Sequence, residues 1–443
     1  MKSVIQTFLV ILAVTLTPQV NAGVSESEYQ AIKKALSVLK KDVVVTKKDI
    51  KSSALPNLYE VTFGARIFYV SKDGKYLLTG ELFDVKNARN LTEDAKVAVR
   101  LNIMKKIDEK DMIGYLADLV HSQDEPIADW VCIPLYFVAK LAKDCGVSVV
   151  QVGEGSDEQF CGYSSYMTYL NLYRKFWNPY MRLMPEFLRW GIGAAASKLA
   201  AATPRFDKFV EVLRRAGDGH ELFYSGANAF WSVHKDRLLT APIRGGDWPE
   251  LAEAGLCALG AANPDSGAVI NAFLDPFKKD HPGSDDLARM TYAEFRLRLP
   301  ELLLMRVDKI SMSTSVEGRV PFLDQNLVEF TMDIPQAWKV RGGETKYLLK
   351  KALEDLLPKD IIYRKKMGFG APMADWLRGA FGRRAERTVL NSSLFDLGLL
   401  DRDHVAGLFR GHFDGRKDNA LHLWALFNLA AWYDHWIAGA SSN

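Results

Sequence analysis

The sequence predicts an α/β protein in two parts: a small α+β unit at the N-terminus, then a larger helix-rich unit built around one parallel strand. Three observations carry this expectation. Val147 to Val152 is a β-branched run that reads as a buried parallel strand, and Gly153 and Gly155 behind it allow a sharp turn and a close approach of backbone to a ligand. Residues 23–107 hold a capped helix followed by strand-length runs with their own turn signals. Between the two, the composition shifts at Asp108-Glu-Lys-Asp111, which sets the boundary between 23–107 and 108–443.

Composition narrows the function classes. At 443 residues the chain is long enough for roughly two to three domains with sizeable cores. A hydrophobic share of 48% and a charged share of 25% are those of an ordinary globular protein. A net charge of +3 supplies no electrostatic argument for nucleic acid or an anionic membrane surface as partner. Cys132, Cys145, Cys161 and Cys257 are widely spaced without a C-x-x-C pair, which excludes a zinc ribbon and a thioredoxin-type redox motif.

Residues 1–22 carry Lys2, then an apolar run from Phe8 to Leu16, with Val20 and Ala22 as small residues before Gly23. The run is too short to span a bilayer, so this stretch reads as a secretory signal cleaved after Ala22. No later stretch qualifies as a membrane span. In the unit that follows, Ser25-x-x-Glu28 is a capping box, and Tyr29, Ile32, Leu36 and Leu39 recur at helical spacing. Strand-length runs come next at Leu58 to Phe63, Arg66 to Val70 and Tyr76 to Leu78, with Asp73-Gly74 as the hairpin turn between the last two. A helix is expected through Ala95 to Ile107.

In the larger unit, Asp111 to His121 reads as an amphipathic helix ended by Asp124-Glu-Pro126, because proline disfavours helical backbone in the residue before it. Ile133 to Asp144 reads as a second helix leading to the central strand. After the strand, Ser156 or Asp157 can cap the next helix, and Glu154, Asp157 and Glu158 crowd the strand's carboxyl end, where open α/β sheets place their ligands. Carboxylates so close repel unless a cation sits among them, and hard oxygen ligands suit Mg2+. A solvated acidic turn that caps a helix reads the same way. From Tyr166 to Gly260, Trp, Tyr, Phe and Leu at helical spacing predict a helical core, and Trp376 with Trp424 to Trp436 predict terminal helices that complete it.

Charged residues farther on have two readings each. Glu317 and Arg319 flank a glycine; in extended backbone both fall on one side, where Arg319 can hold a carboxylate or phosphate in a bidentate fork, or Glu317 can form a structural ion pair with an arginine. Asp308 and Asp324 read equally as helix caps. Gly342-Gly-Glu-Thr-Lys346 is a Gly-Gly turn entering a helix; its free amides and the Lys346 point charge suit phosphate, although a lone lysine opening a helix is usually solvated.

Gly153-Glu-Gly-Ser-Asp-Glu-Gln-Phe-Cys-Gly-Tyr163 resembles the G-[DE]-G-x-D-E-x-F-x-G-Y signature of the synthetase domain of glutamine-dependent asparagine synthetases. Leu302-Leu-Leu-Met-Arg-Val-Asp-Lys-Ile-Ser-Met312 with Val316-Glu-Gly-Arg-Val-Pro-Phe-Leu-Asp324 is similar to the family's L-L-x-[KR]-x-D-x-x-S-M…E-x-R-x-P-[FL]-L-D block. Arg364-Lys-Lys-Met-Gly-Phe-Gly-Ala-Pro372 is close to its R-x-K-x-G-F-x-x-P, and its glycines suggest a loop closing over the site. The resemblance implies a helix-rich PP-loop ATP pyrophosphatase-like (adenine nucleotide hydrolase-like) domain and an ATP-dependent amide ligase that makes asparagine from aspartate. In such an enzyme the side-chain carboxylate attacks the α-phosphate of ATP. Ammonia, free or glutamine-derived, then displaces AMP from the acyl-adenylate. On the matching positions the resemblance implies Glu154 as base for ammonia, Asp157 as Mg2+ ligand and Lys346 as phosphate contact and electrostatic stabiliser. It places Gly153, Gly155, Ser156 and Arg319 about the nucleotide.

Tyr69-Val-Ser-Lys-Asp-Gly-Lys-Tyr-Leu-Leu-Thr-Gly-Glu-Leu-Phe-Asp-Val85, with Asn90-Leu-Thr-Glu93, resembles the N-terminal dimerisation domain of periplasmic disulfide isomerases of the DsbC/DsbG type. That implies a homodimer through residues 23–107 and, with the signal, a periplasmic location; if the signal is not used, the location is the cytoplasm. Cys161-Gly-Tyr-Ser164 looks like half of those isomerases' C-G-Y-C site, but it lies inside the synthetase signature without a resolving cysteine and is read as coincidence.

One piece of the synthetase pattern has no counterpart in this sequence. The family's first ATP loop, S-G-G-x-D-S, cradles the pyrophosphate, and its aspartate shares Mg2+ with the position of Asp157. Nor is Gly23 the catalytic cysteine with which the family's glutaminase domain begins. The expectation is an incomplete synthetase domain with impaired activity, whose Val147 strand lacks a hydrogen-bonding neighbour. The alternative is an exported, non-catalytic dimeric fusion protein carrying a disulfide-isomerase dimerisation domain.

Overall fold

The computed structural model describes residues 24–38, 45–64, 66–87, 89–105, 107–202, 206–225, 228–240, 266–364 and 371–439. The expected signal segment, Leu39, Cys257 and most of the Arg364–Pro372 block lie outside the described residues. The chain divides after Lys105 into two compact units.

In the first unit, α1 (Glu26–Leu36) opens on the capping box: Glu28 N donates to Ser25 Oγ at 3.3 Å, and Ser25 N donates to Glu28 Oε2 at 2.9 Å. Four antiparallel strands follow in the order β1 (Ile50–Ser52), β2 (Leu58–Phe63), β3 (Arg66–Ser71) and β4 (Leu77–Leu78). The β3–β4 turn is the predicted one. Gly74 takes φ +69°, and a Cβ there would lie 2.7 Å from Ala31 O, so glycine serves both the turn and the approach of α1. Val61, Phe68 and Val70 pack with Ile32 and Leu36 of α1. On the other face of β3, Tyr69 Oη meets Thr92 Oγ1 at 2.6 Å, in α2 (Leu91–Lys105), which starts earlier than its spacing suggests because Asn90 Oδ1 accepts from Glu93 N at 3.0 Å. The two-residue strands β5 (Phe83–Asp84) and β6 (Arg89–Asn90) pair as a hairpin just before α2 and are too short for periodicity to mark.

In the second unit, the charged stretch at 108–111 is a helix start. Asp108 Oδ1 accepts from Lys110 N at 2.8 Å, and Asp111 Oδ2 accepts from Asp108 N at 3.1 Å, opening α3 (Glu109–Gln123). It ends at Asp124, which takes φ +48° before Pro126. α4 (Cys132–Asp144) then leads to β7 (Val149–Gln151), which pairs in parallel with β8 (Glu317–Arg319), Val149 opposite Glu317 and Gln151 opposite Arg319. The buried strand expected over 147–152 is corrected here: it is shorter, and Val147 and Val149 are 37% and 38% exposed. A β-branched run is buried only where neighbours cover it, and among the described residues this sheet is two strands wide.

The core of this unit lies away from that sheet. Met112 and Leu119 of α3 pack with Phe381 and Val389 of Ala380–Leu390, Phe409 of Arg402–Phe413 and Trp424 of Ala420–Trp432. Tyr166, Tyr173, Trp177 and Phe223 form a second cluster, the described part of the helical core expected after Tyr166.

Candidate functional site

Out of β7 the chain turns through Gly153–Gly155 into α5 (Ser156–Phe160). Gly155 is the N-cap residue at φ +90°, and a Cβ there would lie 2.4 Å from Leu323 Cδ2, so the turn needs glycine. Neither Ser156 nor Asp157 caps the helix. Both already lie inside it, and Ser156 turns its hydroxyl to Lys346 instead. The buried Gln159 secures the other side of α5: its amide nitrogen donates to Phe322 O, and its Oε1 accepts from Thr331 Oγ1 at 2.7 Å. That ties the signature to the Pro321–Leu323 turn and to the Gln325–Met332 helix. Asp324 caps this helix, accepting from Asn326 N at 3.0 Å, whereas Asp308 lies within the Met305–Met312 helix.

Lys346 is the residue that closes the site. Its Nζ donates to Ser156 Oγ at 2.7 Å and stands 3.0 Å from Asp157 Oδ1, while its backbone N donates to Phe160 O at 3.0 Å. A φ of +54° lets one residue hold both ends of α5. Gly162 makes this possible, since a Cβ there would fall 1.8 Å from Asp157 Oδ1 and 2.2 Å from Lys346 Cε. Ahead of it, Gly342 (φ +59°) and Gly343 (φ +83°) form a two-residue hairpin turn in which Glu344 N donates to Arg341 O at 2.9 Å. Of the amides in this segment, those of Glu344 and Lys346 are spent on Arg341 and Phe160. Lys346 is not a solvated lysine, because it is held by an acid and a hydroxyl.

The three crowded carboxylates have separate partners. Glu154 Oε1 accepts from Arg306 Nη2 at 2.7 Å, and Arg306 Nη1 donates to Asp129 Oδ2 at 2.5 Å. Burial works against the Arg306 charge, but Asp129 and Glu154 outweigh it and hold the guanidinium above its usual pKa. Asp157 faces Lys346. Glu158 is buried; burial pushes its carboxyl up, although Tyr163 Oη donates to its Oε1 at 2.5 Å. Two protein cations and a phenol thus relieve the repulsion that the sequence pattern left open to a metal. Among the described residues, no three His, Cys, Asp or Glu side chains gather as a metal site. Asp157 has the hard oxygen chemistry Mg2+ prefers, but with Lys346 beside it an ion there would draw most of its ligands from phosphate and water.

Of the two readings of Arg319, the structure shows the ion pair. Its Nε donates to Glu317 Oε1 at 2.7 Å, both side chains are exposed, and such a pair contributes little. Its backbone still borders the turn, because Val152 N donates to Arg319 O at 2.8 Å. Cys161 is buried, and burial pushes its thiol up to about 12, which suits an inert packing residue. Arg306 and Asp129, 177 residues apart, escape a reading by local pattern. The one signal for Arg306 is the basic position of the Leu302–Met312 block.

A strand, glycine turn and helix at the carboxyl end of a parallel pair is the ligand-bearing element of open α/β proteins. The chain belongs to the asparagine synthase family, whose profile matches residues 81–434. A second profile, the disulfide bond isomerase protein N-terminal domain, matches residues 21–93, so the two overlap from β5 into α2. Asparagine synthetase [glutamine-hydrolyzing] 1 of Bacillus subtilis is 29% identical over 333 residues, covering 75% of this chain and 47% of that protein. A putative asparagine synthetase of Mycobacterium tuberculosis is 30% identical over 334 residues, 75% of this chain and 46% of its own length. Amidase chyE of Penicillium rubens is 24% identical over 303 residues, 67% of this chain and 43% of that protein. The chain spans about half the length of these relatives.

Proposed function

We propose that residues 108–443 form an asparagine synthase-type amide ligase domain acting on aspartate. The observation that carries this is Lys346, held across Ser156 and Asp157 at the carboxyl end of β7. ATP, when bound, supplies the adenylyl group that converts the aspartate side-chain carboxylate into an acyl-adenylate with release of pyrophosphate. Lys346 places a positive charge where phosphate charge develops, with Gly153, Gly155 and Ser156 beside it and Asp157 available to hold Mg2+. Arg306 holds Glu154 through Oε1, leaving the other oxygen to take the proton ammonia loses as it attacks the acyl carbon and AMP departs.

The chain by itself is proposed not to complete this reaction. It contains no S-G-G-x-D-S loop, and β8 is the single strand neighbour of β7 among the described residues. Removing one electrostatic donor commonly costs about 10²–10³ in rate, and a missing phosphate loop removes several. Purified chain given aspartate, ATP, Mg2+ and excess ammonia is expected to bind ATP weakly, to lose that binding about tenfold in Lys346→Met, and to release no aspartate-dependent pyrophosphate. Binding unaffected by Lys346→Met would sink the ligase reading. Pyrophosphate release abolished by Glu154→Ala and Asp157→Ala would instead show a complete catalyst.

The second reading, an exported dimer, is supported by the N-terminal unit. β4 is an edge strand, and Tyr76 before it and Leu78 within it are 69% and 51% exposed; in the separate β5 segment Phe83 and Val85 are 57% and 89% exposed. An open edge with apolar flanks favours pairing with a second copy. Residues 23–107 alone are expected to scatter light as a dimer at roughly tens of micromolar, and Tyr76→Asp with Leu78→Lys to give a folded monomer. A wild-type monomer would remove this reading. A periplasmic product whose intact mass begins at Gly23 would support export.

A further inference from the structure

A pocket of about 800 Å3, lined by no residue of the 153–163 segment, opens between the Ser266–Asp280 and Asp286–Ala293 helices and the Gln325–Met332 and Gln336–Lys339 helices. Its walls are largely apolar, with Phe277 stacked on Tyr292 at 4.3 Å between ring centres and Leu287, Phe295, Val328 and Ile334 around them. Lys339 also lines it. This lysine is only 6% exposed, yet it makes no hydrogen bond or ion pair to any described residue. Asp285, the carboxylate whose charge reaches it, is committed elsewhere: Oδ1 accepts from Ala288 N at 2.8 Å, and the Gln336 amide, oriented to satisfy its neighbours, donates to Oδ2 at 2.7 Å. Burial accordingly depresses the lysine's pKa, with Cys161 and Asp285 opposing it only in part.

A buried ammonium without a counter-ion, facing an apolar pocket, is an unfavourable arrangement that an anionic ligand relieves. A carboxylate on such an ammonium makes a charge-assisted hydrogen bond in a low-dielectric setting, where it is strongest. Asp285 and Asp333 also border the pocket, as do Arg296 and His281, so the pocket lining carries both signs, and the unmet charge is that of Lys339. The geometry points to a binding site for a small monocarboxylate with an apolar body, its carboxylate on Lys339 and its body against Phe277 and Tyr292. Such a mostly apolar concavity with one unsatisfied polar group is the usual form of a small-molecule site. None of Glu154, Asp157 and Lys346 lines this pocket, and the inference does not rest on the ligase reading.

The test uses the full chain and 3-phenylpropionate as probe, with 3-phenylpropanamide as its uncharged counterpart, followed by titration calorimetry. The carboxylate is expected to bind with a Kd of about 1 mM or below, a scale set by its size, and the amide about tenfold or more weaker. Lys339→Met, which keeps the length and burial of the side chain, is expected to weaken the carboxylate about tenfold and leave the amide unchanged. Ala288→Trp, on the exposed rim, is expected to block both ligands without disturbing the core. No binding of the carboxylate at roughly ten times the expected Kd overturns the site. So does equal binding of the two ligands, or an unchanged carboxylate affinity in Lys339→Met. If Lys339→Met fails to fold, unaltered carboxylate binding in Ala288→Trp overturns it.

Discussion

Arg306→Met is expected to destabilise the C-terminal unit by about 3 kcal/mol or more, the scale for removing one partner of a buried charge pair. The guanidinium is 9% exposed, and the two carboxylates it joins, Asp129 and Glu154, are 20% and 22% exposed. Methionine fills much of the space but leaves both acids facing each other with no cation between them. Arg306→Lys should recover only part of the loss, because a single ammonium does not reproduce two guanidinium bonds directed at separate acids. Denaturant unfolding of the three proteins checks this. A loss below about 1 kcal/mol for Arg306→Met would mean that water already carries much of the charge, as at an exposed pair. The same variant removes the group that aims Glu154, so any activity reconstituted in this domain should fall with it.

Trp424→Ala is expected to cost about 3–5 kcal/mol, the range for truncating a buried tryptophan. Trp424 is fully buried between Phe381 and Phe427, whose rings lie 6.2 Å and 5.7 Å from it. Trp424→Phe should lose less, since it keeps an aromatic ring and also removes an indole N–H that has no hydrogen-bond partner among the described residues. The consequence reaches the site through hydrogen bonds. On the same stretch, Asn428 Nδ2 donates to Gln123 Oε1 at 3.2 Å and Trp432 Nε1 donates to Asp124 O at 2.8 Å. These hold the turn after α3 that leads to Asp129, which holds Arg306, which holds Glu154. Thermal unfolding of the two variants is the measurement. Equal losses for alanine and phenylalanine would show that shape fit at this position, not buried volume, dominates.

In several places where a residue's partners lie within a few positions of it, the sequence by itself determined the structure, although the caps it offered at Ser156, Asp157 and Asp308 do not form. Ser25 caps α1 through Glu28, and Asp73-Gly74 turns β3 into β4. α3 stops before Pro126, whereas the cap at Asp324, one of two readings its sequence allowed, was settled by the structure. Long motifs likewise sufficed for the family, because an ordered string of residue types is specific without any fold in hand. Only the tertiary structure decided the rest. Arg306 meets Glu154 across 152 positions, and Lys346 meets Ser156 across 190, separations at which periodicity and capping rules carry no information. A charged residue reads the same whether its partner is an exposed neighbour two positions away, as for Arg319 on β8, or two partly buried acids far along the chain, as for Arg306. The strand at Val147 shows the same limit for apolar residues. Its β-branched pattern declares what the strand can bury, but burial itself depends on which neighbours arrive, and here β7 has β8 alone among the described residues.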